Sequence, residues 1–291
     1  MRYRQLSVIL TLILAGGALC AALIGIISSG SPDPFVHENI LGQPITIYGS
    51  GVYRHMSSAV AIQGIAQDWV TAFAAVPILL LSLIGVLKHS LRAQLIHSGA
   101  SAYLFVTYWF YLAMAAYNEL FLLYALLAGT AFFSLFTSIQ RLFDYDYSRH
   151  TGARFPHLFA GTFLMINAML IGLLWLSSVL PPLLDGTIFP AELEHYTTLI
   201  VQGFDLGLLL PMAFVSGYLM RKNDRRGIIF GSVYIIFLAL LMSALVAKII
   251  AVGFADYPII PVIFIIPAIL CVDLYLTVRI LRTLPRRVQN Q

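Results

Sequence analysis

The sequence predicts an all-α polytopic membrane protein of eight transmembrane helices, arranged as two parallel four-helix repeats. Three observations predict it. Of 291 residues, 60% are hydrophobic and 10% charged, where an ordinary globular chain is about 25% charged; one water-soluble core cannot hide that much apolar side chain. Apolar segments long enough to cross about 30 Å of hydrocarbon recur along the chain. Between them, lysine and arginine gather in alternate connections, as they do in short cytoplasmic loops.

The segments fall at roughly 7–29, 69–87, 96–118, 120–140, 157–180, 197–220, 227–252 and 257–278. The first has a basic start and an apolar body too long for a signal peptide, and it lacks a clear small-x-small cleavage site, so it reads as a retained helix. Asp205, Lys248 and Asp273 are the only Asp, Glu, Lys or Arg residues inside the eight. A chain threaded from a cytoplasmic N-terminus places Arg2, Arg4, Lys88, Arg92, Arg141, Arg149, Arg154, Arg221, Lys222, Arg225, Arg226, Arg279, Arg282, Arg286 and Arg287 on one side. That is fifteen of the 17 basic residues. The formal charge of +4 therefore has a topological reading and gives no reason to expect nucleic acid. The expected location is the cell membrane, with both termini in the cytoplasm and the lipid bilayer as the first partner.

The spans divide into a repeat over 1–140 and a second over 157–291, joined by a cytoplasmic loop at 141–156. Each half enters a helix through a Gln-Gly pair, "AIQGIAQDW" and "LIVQGFDLG". Sliding the first half by 137 or 138 positions lays Asp68 on Asp205, Lys88 on Arg226, Asn118 on Asp256 and Arg141 on Arg279. Four spans per unit is even, so the halves share one orientation about an axis along the membrane normal. Gly/Pro-broken spans at corresponding positions, a mark of many carriers, are not evident in the sequence. Small residues at Gly161, Gly172, Gly217, Ala21–Gly25 and Gly203–Gly207 offer points of close helix approach.

Helical rise converts spacing into depth. Lys248 lies 22 residues from Arg226 and Glu119 22 from Arg141, about 33 Å in each case, which puts both near the outer interface. Asp68, 20 residues from Lys88, is expected there too. Asp205 comes out some 6 Å below the outer boundary, and Asp273 about 9 Å into the inner leaflet. Lys248 has a stem long enough to snorkel; alternatively it pairs with Asp205 or Asp68. Asp205 is either a pair partner or buried acid, or a binding or proton-carrying carboxylate. For Asp273 an ion pair or helix contact competes with an inner station on a path. These five, Asp68, Glu119, Asp205, Lys248 and Asp273, are the candidate site residues.

No motif for phosphate, zinc protease, haem or serine hydrolase chemistry occurs. Cys20 and Cys271 lie in apolar runs far apart and read as small buried hydrophobes. His89, His97, His150 and His157 are expected at or near the cytoplasmic edge. Outside, the loops at 30–67 and 181–196 bring His37, Glu38, His55, Asp185, Glu192, Glu194 and His195. These suit a divalent metal by type, although their spacing is not diagnostic, and no cofactor is predicted. Tyr103, Tyr108 and Tyr111 spread over more than one helix face and so do not form a single pocket stripe.

Three readings follow. One is a permease-like carrier of a small molecule or ion through a cavity between the repeats. Another is a membrane-embedded enzyme acting at the extracytoplasmic leaflet, and the third is a non-catalytic subunit held by a membrane-protein partner.

Overall fold

A helix containing proline loses one backbone donor and meets a steric clash with the carbonyl four residues back, and two such prolines shape this fold. In the computed structural model, which describes residues 2–114, 116–145 and 155–285, the first half opens with α1 (Arg2–Ser28). A β-hairpin follows, β1 (Phe35–Glu38) and β2 (Pro44–Ile47), and then α2 (Ser58–Val70), α3 (Val76–Leu87), α4 (Leu91–Met114) and α5 (Phe121–Phe143). The second half contains α6 (His157–Leu184), α7 (Ile200–Phe204), α8 (Leu210–Arg221), α9 (Arg225–Phe254) and α10 (Val262–Thr283). Of the expected connecting loop, residues 146–154 lie outside the described residues, as do Arg149, Arg154, His150, Arg286 and Arg287.

Helices α2 and α3 form one rod, interrupted by a π-helical turn at Thr71–Ala75; α7 and α8 form another, interrupted at Asp205–Leu209. Pro77 and Pro211 each sit just beyond the interruption. The carbonyls their rings displace belong to Phe73 and Gly207, the middle residue of each π turn. Both halves therefore carry a Pro-broken span at the same place, a correction to the sequence reading. The register that superposes the two breaks is 134 residues (71 to 205, 77 to 211), not the 137 that lays Asp68 on Asp205. The two acids thus stand almost a turn apart relative to their breaks.

Seven helical rods among the described residues are long and apolar enough to cross a membrane, namely Gln5–Ser28, Ser58–Leu87, Phe121–Phe143, His157–Leu184, Ile200–Arg221, Arg225–Phe254 and Val262–Thr283. The eighth expected span, α4, has the length but not the apolarity. Its polar residues Gln94, His97, Ser98, Ser101 and Thr107 are buried, so they turn away from the surrounding medium. The outward faces of the other helices are greasy, with Leu170, Leu173, Leu174 and Phe264 exposed, a surface compatible with an integral membrane protein.

Local chemistry sets the boundaries. Asp224 caps α9, its carboxylate accepting from Arg226 N at 2.8 Å, and Ser90 Oγ receives Ala93 N at the start of α4. Helix α1 packs on α2, α3 and α5, while α4 packs on α3 and α5, closing the first half into a ring. The second half is open: α6 lies on α8, α8 on α9, and α9 on α10. Across the seam, α9 packs on α2 and α4. The closest approach is between α6 and α8, where a Cβ on Gly161 would stand 2.5 Å from Gly217 O, and one on Gly217 2.7 Å from Gly161 O. Gly172 and Gly203–Gly207, singled out with them, have free space instead.

The hairpin was not foreseen by an all-helical reading. It pairs Phe35 with Ile47 and Glu38 with Pro44, and Asn39 Oδ1 closes its tip by accepting from Leu41 N and Gln43 N at 2.9 Å each. Beyond it, Gly49 and Gly51 adopt positive φ of 79° and 60°, which L side chains resist. A Cβ at either would also run into the backbone of Asp33 or Ser28. The loop is thereby pressed onto the end of α1, where Tyr48 OH donates to Ser29 O at 2.5 Å.

Candidate functional site

The turn Gly51–Tyr53 aims Tyr53 down into the first-half ring. Its hydroxyl donates to Asp68 Oδ2 at 2.5 Å, and Tyr111 OH donates to Oδ1 at 2.9 Å; the two phenol oxygens lie 3.2 Å apart. Burial, then the neighbouring Asp68 carboxyl, push the Tyr53 phenol well above its usual pKa, so it stays a donor. Two glycines make the arrangement possible. A Cβ on Gly25 of α1 would overlap Asp68 Oδ2, and one on Gly64 would stand 2.9 Å from the Tyr53 ring. Asp68 is 2% exposed: the loop and α1 seal it.

Lys248 of α9 is half-buried and faces this acid. The two interact through charge, yet among the described residues no ion pair within 4 Å joins them. Lys248 therefore faces the acid without closing a salt bridge to it. Glu119 is separate: it lies in the exposed connection before α5 and pairs with Arg54 at 2.5 Å. The hydrogen bond from Arg54 holds its carboxyl below the usual glutamate range.

Below Asp68, hydrogen bonds continue along α4. Gln67 Nε2 donates to Tyr103 OH at 2.7 Å and Thr107 Oγ1 at 3.0 Å, and Thr71, in the π turn, lies 3.3 Å from Tyr103 OH. Farther along, His97 contacts Ser82 at 3.1 Å and Thr11 at 3.3 Å. Ser98 and Gln94 then meet Ser138 at 2.7 and 2.6 Å. From Gln94 to Tyr111 this polar file follows α4 for about 26 Å. His97, expected at the cytoplasmic edge, is 2% exposed within it. Each interhelical bond of this kind contributes about 0.6 kcal/mol. The tyrosines of α4 also prove closer than their spacing suggested: Tyr108 and Tyr111 both ring Tyr124, with centroids 5.9 and 5.2 Å away.

In the second half, Asp205 opens the π turn and accepts from Trp175 Nε1 at 2.7 Å. Tyr234 of α9 donates to Leu209 O at the other end of that turn, at 3.0 Å, and interacts through charge with both Asp205 and Asp273. Asp273 is 0% exposed. Among the described residues neither of its carboxyl oxygens has a hydrogen-bond partner and no ion pair reaches it, Arg279 turning to Tyr275.

The histidines at the hairpin end converge only loosely. His195 Nε2 hydrogen-bonds His55 O at 2.9 Å, its ring lies 6.0 Å from that of His37, and Arg54 Nε donates to His55 Nε2 at 3.2 Å. Among the described residues no group of three or more His, Cys, Asp or Glu is placed to hold a metal. No histidine among them hydrogen-bonds Asp68.

Sequence reasoning singled out Asp68, Asp205 and Lys248 and named Tyr111 only among the scattered tyrosines of its helix; it gave no notice of Tyr53, Trp175 or the π turns. The available signal was a proline following each acid within one apolar span, nine residues on in the first half and six in the second. No protein-family model, curated protein or solved structure matches the chain.

Proposed function

We propose that this protein is an eight-span carrier of a small polar solute or ion in the cell membrane, built from two parallel halves with both termini cytoplasmic. One observation carries the reading: each half has a π-interrupted span at the corresponding place, and each interruption adjoins that half's acid, Asp68 three residues before it or Asp205 as its first residue. Broken helices in matched positions free backbone groups and side chains for a solute while the rest of the helix stays in register, and they mark the binding region in many carriers. Lys248 supports the same reading, because it brings an opposite charge from the second half to Asp68 without neutralising it by contact. In this scheme a solute meets Tyr53, Asp68 and Lys248 at the hairpin end, and Asp205 serves as a second carboxylate for the other half. The enzyme reading has less behind it, since the exposed histidines engage backbone and arginine and none reaches Asp68.

The test is substrate-blind uptake. Proteoliposomes are offered a defined mixture of amino acids, organic acids, amines and alkali-metal ions, and their contents are read by mass spectrometry. At least one solute is expected to accumulate over empty liposomes, and Asp68→Asn and Asp205→Asn, folded by size-exclusion chromatography, are expected to abolish it. Accumulation that is unchanged in both variants, or none in wild type, overturns the proposal.

A further inference from the structure

Asp273 presents the least satisfied polar chemistry among the described residues. It is fully buried, with both oxygens unpartnered. One helical turn on, along the same face of α10, Thr277 Oγ1 is also buried without a partner; so is Ser232 Oγ on α9. Rise along the antiparallel pair sets Ser232 and Thr277 at one level and Asp273 about one helical turn farther from the same ends. Ser232 is seven residues from the Arg225 end of α9, and Thr277 and Asp273 are six and ten from the Thr283 end of α10. The first half shows what such a level does when it is closed. Ser98 is seven residues from Leu91, Ser138 and Ser134 are five and nine from Phe143, and they pair as Ser98–Ser138 at 2.7 Å and Ser101–Ser134 at 3.0 Å. In the second half the corresponding oxygens are left open.

We infer that Asp273, Thr277 and Ser232 bind a dehydrated monovalent cation, sodium being the size and hardness that fit, between α9 and α10. Leaving a buried carboxylate and two hydroxyls unpaired is expensive, so the arrangement calls for a ligand that satisfies all of them. A proton on Asp273 does not: it supplies one donor and leaves the hydroxyl oxygens as they were. A hard cation takes lone pairs from every oxygen at once. Charge chooses its valence, because a single carboxylate balances one positive charge, whereas calcium sites gather several acidic ligands and magnesium retains its waters. The two hydroxyl hydrogens then remain free to turn to backbone carbonyls one helical turn back. The inference does not depend on the carrier reading, because binding is measured on the purified protein whether or not it transports anything.

The experiment compares thermal unfolding of detergent-purified protein in sodium, potassium and choline chloride at equal ionic strength, together with equilibrium binding of radioactive sodium. A ligand that binds only the folded state raises the apparent Tm saturably. Wild type is expected to gain Tm and bind sodium in a saturable manner, with choline without effect and potassium weaker. Asp273→Asn is expected to lose both responses while remaining monodisperse. Thr277→Val and Ser232→Ala, which keep the acid, are each expected to raise the half-saturating sodium concentration about tenfold; they decide the matter if Asp273→Asn fails to fold. Equal Tm in sodium and choline with no bound sodium in wild type assigns the site to a proton and overturns the inference. So does a sodium response that survives in Asp273→Asn, or in both hydroxyl variants unchanged.

Discussion

Gly25→Ala is the most revealing single change in the first-half ring, because it adds one methyl group directly against Asp68. The new Cβ would lie 3.0 Å from Asp68 Cγ and 3.3 Å from Tyr53 OH, and it would overlap Oδ2 outright. The carboxyl must swing away, breaking the 2.5 Å bond from Tyr53. Overpacking costs about 1–3 kcal/mol, and stranding a buried polar partner costs about 1–3 kcal/mol more. The better helix propensity of alanine returns up to about 1 kcal/mol. The net loss is therefore about 1–5 kcal/mol by these ranges, read as a lower apparent Tm in detergent. Gly16→Ala is the control: it makes the same chemical change in the same helix, where nothing lies within 4 Å, and it is expected to leave Tm unchanged or slightly raised. Combining Gly25→Ala with Asp68→Ala removes the clash, so the double variant should lose less than the sum of the two single variants. Equal behaviour of Gly25→Ala and Gly16→Ala, or strict additivity in the pair, would refute the contact between α1 and the buried acid.

Other outcomes are as definite. Trp175→Phe removes the one hydrogen-bond donor to the Asp205 carboxyl among the described residues and is expected to cost about 1–3 kcal/mol, seen in thermal unfolding; an unaltered Tm contradicts that bond. Gly161→Val is expected to separate α6 from α8 and lower Tm, whereas Gly172→Ala, whose nearest neighbour would be 3.8 Å away, should be silent. Lys248→Met, which keeps the stem and removes the charge, is expected to reduce uptake of whichever solute the proteoliposome assay identifies while Tm stays close to wild type; full uptake by the variant refutes the part given to Lys248. Glu119 has its folded pKa depressed by Arg54, so its small contribution is complete above the usual value of 4.5 and is lost as pH falls through the depressed value. Arg54→Ala should move the Glu119 titration back up, as followed by carbon NMR of the labelled carboxyl, with little change in stability because the pair is exposed to water.

Membrane class and helical architecture were legible in the sequence because hydrocarbon thickness and backbone satisfaction leave few alternatives. What the sequence obscured has specific causes. The polar side chains of α4 hydrogen-bond to α2, α3 and α5, contacts that no single-helix pattern displays. Depth counted by rise says nothing of cover, so the burial of Asp68 beneath the turn at Gly51–Tyr53 was not legible. Periodicity treats a helix as uniform, so it passes over a π turn even when Pro77 or Pro211 stands beside it. Spacing also favoured the register of 137, since aspartates are conspicuous and a displaced carbonyl is not.

The helix α9 has divided allegiance. By chain order it belongs to the open second half, yet one flank is keyed into the closed ring through α2 and α4. Packing therefore crosses the boundary read from the sequence. A rocking motion that carried the whole second half would have to drag α9 across the buried Asp68 region. Motion of α6, α8 and α10 around α9 would leave that packing undisturbed. For the proposed carrier this packing favours a lever of α6, α8 and α10 pivoting on α9, with Asp273 on the arm and Lys248 on the frame, while α7 ties the Asp205 rod to α4.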